Sequence, residues 1–166
     1  MKGFGENNIY KKPNKIFVDP SIEEIIDYAI NAQLKGNLEE AIKCYKYCID
    51  KGINDSRVLC NYGLILVKLG ELENAQLMME KSIEISPNDT LSYNNLSGIL
   101  QELGKYNEAE VILNKSLEID NKNSITYSNL GTVLLYQGKL DRAELILKKS
   151  LAINPNEGNS YLSLGV

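Results

Sequence analysis

A 34-residue period constrains this chain more than any other feature. Gly36, Gly70, Gly104 and Gly138 stand 34 residues apart, and Ala41, Ala75, Ala109 and Ala143 follow them at an offset of five. A third set of small residues, Ala29, Gly63, Ser97, Gly131 and Gly165, keeps the same spacing. Glycine makes up about 7% of ordinary sequences, so three further matches at a fixed offset arise by chance roughly once in 3,000 trials. Four of the seven alanines lie on the second ladder, which multiplies that improbability. The chain is one short unit used repeatedly, and 166 residues hold four copies and the start of a fifth.

Within each unit the apolar residues recur at helical spacing, twice. In the third unit TLSYNNLSGILQELG is followed by KYNEAEVILNKSLEIDNKN. Tyr93, Leu96, Ile99, Leu100 and Leu103 form the apolar face of a first helix. Ala109, Ile112, Leu113, Ser116, Leu117 and Ile119 form that of a second. Gly104 between them suits a helix C-cap, where a left-handed backbone costs glycine little. Ser97 and Ala109 are small enough for the two helices to cross at close range. Pro87 and Pro155 stop the second helix of their units. The expected fold is all-α, with helix pairs stacked in a row.

These residues resemble the tetratricopeptide (TPR) repeat, whose period is 34 residues. The family's Leu-Gly pair in the first helix stands as Tyr62-Gly63, Leu96-Ser97 and Leu130-Gly131, and its second-helix alanine is the Ala41 ladder. The first unit departs most, with Tyr28-Ala29 at the pair and Ile53 at the closing proline; the third has Asn121 there. The resemblance implies a right-handed α-solenoid with units at 22–55, 56–89, 90–123 and 124–157, and a partial fifth at 158–166. It also implies a protein-protein interaction scaffold that holds a peptide or protein segment in the concave groove.

Composition removes most alternatives. The chain contains no histidine, so no Ser-His-Asp triad and no His-ligated zinc can be assembled from it. A net charge of -4 argues against phosphate neutralisation, and hence against a nucleic-acid partner. Residues 1–20 lack the apolar stretch of a signal peptide, and nothing later resembles a membrane span. Those twenty residues carry four lysines and two acids and read as a flexible tail, or as a basic arm for an acidic partner. Gly3 and Gly5 lack the third glycine of a dinucleotide fingerprint.

Cys44, Cys48 and Cys60 form no disulfide framework and suggest a reduced, cytoplasmic protein. A thiolate metal site would need a carboxylate as its fourth ligand; core packing explains Cys48 more simply. Glu39, Glu40, Glu71, Glu108 and Asp141 gather where second helices begin, which suits the helix dipole. No catalytic constellation emerges, so the expectation is a non-enzyme without cofactor or metal.

In the TPR family the first helix of each unit lines the groove, at its second, fifth, sixth, ninth, twelfth and thirteenth positions. Asn61, Asn95 and Asn129 all fall at the sixth. An asparagine amide both donates and accepts, so it can hold a peptide unit whatever the side chain beside it. Helices pack 8–10 Å apart and an extended chain advances about 3.3 Å per residue, so one asparagine meets roughly every third peptide unit. This is similar to the asparagine ladder of O-linked N-acetylglucosamine transferases. Asn94, Gln101, Ser128, Thr132 and Tyr136 are the further candidate groove residues, with Leu64, Val67 and Leu135 supplying apolar contact.

Chaperone-binding members hold a terminal carboxylate with cations from three such helices. Here the matching positions carry Ile26, Ile30, Asn61, Leu91 and Asn95, or one unit along Cys60, Leu64, Asn95, Ile125 and Asn129. No such clamp is expected.

The sequence stops inside what would be the fifth unit, which suggests a longer array. Its exposed edge at Tyr161 and Leu164 is a candidate for self-association. A second functional expectation follows from the resemblance to longer bacterial proteins. It is the N-terminal, substrate-recruiting module of a larger glycosyltransferase, sulfotransferase or methyltransferase.

Overall fold

A computed structural model describes residues 20–165. The calls on the tail and on Gly3 and Gly5 lie outside these residues, as does the side chain of Leu164. The described residues form helices joined by tight turns: α1 (Ile22–Leu34), α2 (Leu38–Asp50), α3 (Ser56–Lys68), α4 (Leu72–Ile85), α5 (Thr90–Glu102), α6 (Tyr106–Ile119), α7 (Ser124–Tyr136), α8 (Leu140–Ile153) and α9 (Gly158–Leu164). Each odd-numbered helix packs on the even-numbered helix that follows, and each pair stacks on the next.

Local chemistry sets the helix ends. Ser21, Asp55, Asp89 and Asn123, again 34 apart, cap α1, α3, α5 and α7 by accepting a backbone N–H of the first turn. The even-numbered helices have no side-chain cap but carry Glu39, Glu40, Glu73, Glu108 or Asp141 in their first turns. Gly36, Gly70, Gly104 and Gly138 close the odd helices at φ between 73° and 79°. The N–H of the following residue reaches back to close each turn, as Lys105 does to the Leu100 carbonyl at 2.7 Å. Gly52 ends α2 the same way at φ 71°, whereas α4, α6 and α8 end in extended Ser86, Asp120 and Asn154.

The alanine ladder sits where paired helices cross. Ala41, Ala75, Ala109 and Ala143 are fully buried. A second buried set, Tyr45, Met79, Leu113 and Leu147, also keeps the 34-residue step. Gly131 lies so close to Leu147 that an added Cβ would meet its side chain at 2.5 Å. At Gly63 the corresponding contact is the end of Met79, at 3.1 Å.

Between pairs, a row of buried hydroxyls joins α4, α6 and α8 each to the odd helix after it. Ser82 meets Ser92 at 3.2 Å, Ser116 meets Thr126 at 3.3 Å, and Ser150 meets Ser160 at 2.8 Å. Ser82 and Ser150 also donate to the carbonyls of Ser56 and Ser124. The matching residues at the first junction are Cys48 and Val58, both buried and apolar. The core follows this change. One cluster holds α1, α2 and the near side of α3; the other runs from Cys60 through Ala143, with Tyr62 packed against both.

Candidate functional site

Successive odd helices touch one another, α3 with α5, α5 with α7 and α7 with α9, while successive even helices make no comparable contact. The odd helices therefore line the inner side of the stack. Hydrogen bonds between them identify the inner face residue by residue. Asn95 Nδ2 donates to Cys60 Sγ at 3.6 Å, Asn129 Nδ2 to Asn94 Oδ1 at 2.9 Å, and Thr132 Oγ1 lies 3.2 Å from Ser163 Oγ.

Asn61, Asn95 and Asn129 share this face, each half-buried. Each commits one amide N–H to the protein: Asn61 to the Arg57 carbonyl at 2.9 Å, the other two as given above. No Oδ1 of the three accepts a hydrogen bond from a described residue. One N–H thus fixes each amide plane, and the carbonyl oxygen and second N–H remain for an external partner.

The other candidates divide. Gln101 is half-buried, with Nε2 on the Ser97 carbonyl, and Thr132 Oγ1 donates to the Ser128 carbonyl. Tyr136 is 64% exposed, and its ring stacks on Tyr106 at 5.1 Å between centroids. Asn94 is 8% exposed and both its amide hydrogens are used, on the Thr90 carbonyl at 2.9 Å and Thr126 Oγ1 at 2.8 Å. It stands behind the face and orients Asn129. Ser128 is 1% exposed, and its Oγ has no partner among the described residues. Asn94 and Ser128 were both expected to line the groove; they are buried, and Asn94 is turned toward Thr126 of α7.

Two exposed aliphatic side chains stand one turn before ladder asparagines. Leu91 and Ile125, in the first turns of α5 and α7, are 60% and 53% exposed. They are 34 apart and each precedes a ladder asparagine by four residues, a signal already present in the sequence.

The α1 end of the face is different. Arg57 binds Glu23 Oε1 at 2.8 Å and Asp55 Oδ2 at 2.7 Å. Hydrogen bonding to Arg57 holds both carboxyls below their ordinary range, and the guanidinium is in turn held protonated. The positions that a carboxylate clamp needs carry no cation, as read from the sequence.

Chemistry beyond binding finds little support. Cys44, Cys48 and Cys60 are buried and not disulfide-bonded, and burial pushes the Cys48 and Cys60 thiols up, away from the thiolate a metal or nucleophile requires. Among the described residues no group of three Cys, Asp or Glu side chains converges as a metal site. No described helix is long and apolar enough to cross a membrane. An open depression of 690 Å³ between Pro87, Tyr93, Lys115 and Ile119 lies off the inner face.

The architecture is that of a helical-repeat solenoid. Tetratricopeptide repeat models match residues 56–89 and 88–156, and the chain belongs to the tetratricopeptide repeat family. No curated protein matches by sequence.

Solved structures share the fold. YrrB, described as a TPR protein with an unusual peptide-binding site, is 19% identical over 88% of this chain and 75% of its own, with a TM-score of 0.79. MamA is 21% identical over 90% of this chain and 83% of its own, TM-score 0.75. The first TPR of Spaghetti (RPAP3), bound to the HSP90 peptide SRMEEVD, is 22% identical over 67% of this chain and 88% of its own, TM-score 0.64.

Proposed function

We propose that the inner face of the odd helices binds an extended segment of another protein, with Asn61, Asn95 and Asn129 holding its main chain. One observation carries this reading: three asparagines at a 34-residue step each have one N–H bonded within the protein, and none of their Oδ1 atoms accepts a hydrogen bond from a described residue. An amide so oriented bridges a peptide N–H and C=O without paying again for side-chain ordering. Gln101, Thr132 and Tyr136 line the same groove, and Asn94 acts from behind as the residue that positions Asn129. A TPR neighbour described as having a peptide-binding site, and another bound to a peptide, support the class of ligand.

The test is selection of peptides from a displayed random library on the protein, followed by affinity measurement with an Asn61→Ala/Asn95→Ala/Asn129→Ala variant. Loss of about 1 kcal/mol per asparagine, with an unchanged circular-dichroism melt, is the expected result. Selected peptides that bind the variant as tightly as the parent would remove the asparagines from the site. Affinity should vary only modestly with salt, because Glu102 at the end of α5 is the one charged residue at the groove positions of α5 and α7.

A further inference from the structure

The spacing of the inner-face side chains specifies more than main-chain contact. Leu91 and Asn95 lie four residues apart on one face of α5, and Ile125 and Asn129 repeat that pairing on α7. Both aliphatic side chains are more than half exposed, so neither neighbouring helix covers them. At the same position of α1 and α3, Glu23 and Arg57 meet each other at 2.8 Å. That contact puts this position of α1 and α3 within side-chain reach of the adjoining unit. Where α1 and α3 close the step with an ion pair, α5 and α7 leave two aliphatic side chains with an uncovered surface between them.

Packed helices are 8–10 Å apart. A β-strand presents the same face every two residues, about 6.7 Å, which falls out of step with that spacing. A polyproline II segment repeats every three residues at about 3.1 Å each, so it returns the same face every ~9.3 Å. Only the second conformation sets an equivalent side chain against each successive unit. Around this step Asn95, Gly98, Gln101, Asn129 and Thr132 are uncharged, and Glu102 at the end of α5 is acidic. Arg57 is already held by Glu23 and Asp55. Neither a terminal carboxylate nor an acidic side chain finds a free cation at these positions.

We infer that the groove selects a polyproline II-like, internal peptide segment bearing aliphatic side chains at residues i and i+3, seated on Leu91 and Ile125 while the asparagines hold its main chain. This rests on the inner-face reading above and adds the register and chemistry of its ligand. The uncovered aliphatics supply apolar contact that a main-chain grip alone lacks. The surroundings, neutral but for Glu102, exclude the acidic tails that other TPR grooves take.

Three end-capped or control peptides distinguish the possibilities by fluorescence anisotropy. The first is a Ser/Pro-rich host with leucines at i, i+3 and i+6. The second has the same composition with leucines at i, i+2 and i+4. The third is the acidic peptide SRMEEVD. The first should bind about tenfold more tightly than the second, the range expected for a fitted aliphatic contact, and SRMEEVD should bind most weakly. Leu91→Ser/Ile125→Ser should remove the preference between the two leucine registers; the melting curve checks that these surface changes leave the fold intact.

Equal affinity for the two registers, preference for SRMEEVD, no measurable binding of the first peptide, or a preference that survives the double variant overturns the inference. The asparagine triple variant separates the two readings. If it weakens every peptide that binds while no register preference exists, the groove stands and its aliphatic register falls. If it changes nothing, the groove reading itself falls.

Discussion

The first inter-pair junction and the later ones differ in how the chain turns and in what they bury: α2 closes on a left-handed Gly52, and α4, α6 and α8 close without one. Between α2 and α3, Cys48 and Val58 meet in an apolar core, and the surface is tied by Arg57 to Glu23 and Asp55. At the next three junctions those buried positions hold Ser82 with Ser92, Ser116 with Thr126, and Ser150 with Ser160. A repeat of fixed length thus constrains the volume at a junction and leaves its polarity open. The two solutions differ in what they specify. Apolar contact is non-directional, whereas a buried hydroxyl pair fixes the rotation of one helix pair on the next, because a misaligned hydroxyl loses its partner in a dry interior. The candidate groove lies over the hydroxyl-joined half, where the spacing of Asn95 and Asn129 has to be held.

The strongest way to break this contrast is to give the first junction half of the later chemistry. Val58→Ser removes buried methyls and places an unpartnered hydroxyl beside Cys48, and should cost about 3 kcal/mol in urea unfolding. Adding Cys48→Ser completes a hydroxyl pair; the double variant should recover about 1 kcal/mol relative to the sum of the single changes. Strict additivity would mean that the junction does not accept a hydroxyl pair.

Gly131→Ala comes next, at about 2 kcal/mol of destabilisation, since its Cβ would meet the branched end of Leu147 at 2.5 Å. Gly63→Ala should be close to neutral. Its contact is the flexible end of Met79 at 3.1 Å, and alanine gains about 1 kcal/mol of helix propensity over glycine. Equal costs at the two sites would show that the crossings are equally tight.

A smaller effect is expected in acid. Arg57 holds the Glu23 and Asp55 carboxyls below their ordinary range, and Lys139, with further help from Gln137 and Arg142, does the same to Glu110. A carboxyl lowered in the folded state contributes stability above its unfolded pKa, and that stability is lost as pH falls through the folded value. Arg57→Gln should therefore be less stable than the parent at pH 7 and indistinguishable from it near pH 2. Because these groups lie near the surface, the difference at neutral pH should be small. A difference that persists in acid would assign the Arg57 contribution to packing.

The contrast also explains what the sequence disclosed. The glycine and alanine ladders report backbone requirements, a left-handed turn and a close crossing, that few other residues satisfy, so Gly104 and Ala109 were legible from identity and spacing. Serine carries no such signature. Ser82 and Ser150 read as ordinary polar helix residues until their partners ten positions later are seen across the junction. Asn94 and Asn95 are adjacent and identical in type, yet Thr126 draws the first into the core while the second keeps an open edge. Helical rotation of 100° per residue makes that difference, and composition cannot show it. Leu91 and Ile125 were visible as a 34-residue pair; they were weighed as missing cations, and their own apolar surface went unused.

The most direct test of the asparagine grip is to follow side-chain amide signals by NMR while titrating a library-selected peptide. The Nδ2 resonances of Asn61, Asn95 and Asn129 should shift together and saturate at one stoichiometry. That of Asn114, whose Nδ2 bonds the Glu110 carbonyl on α6, should remain in place. Saturable shifts confined to Asn114 and the even helices, with the three inner-face amides unmoved, would contradict the grip and move binding to the outer surface.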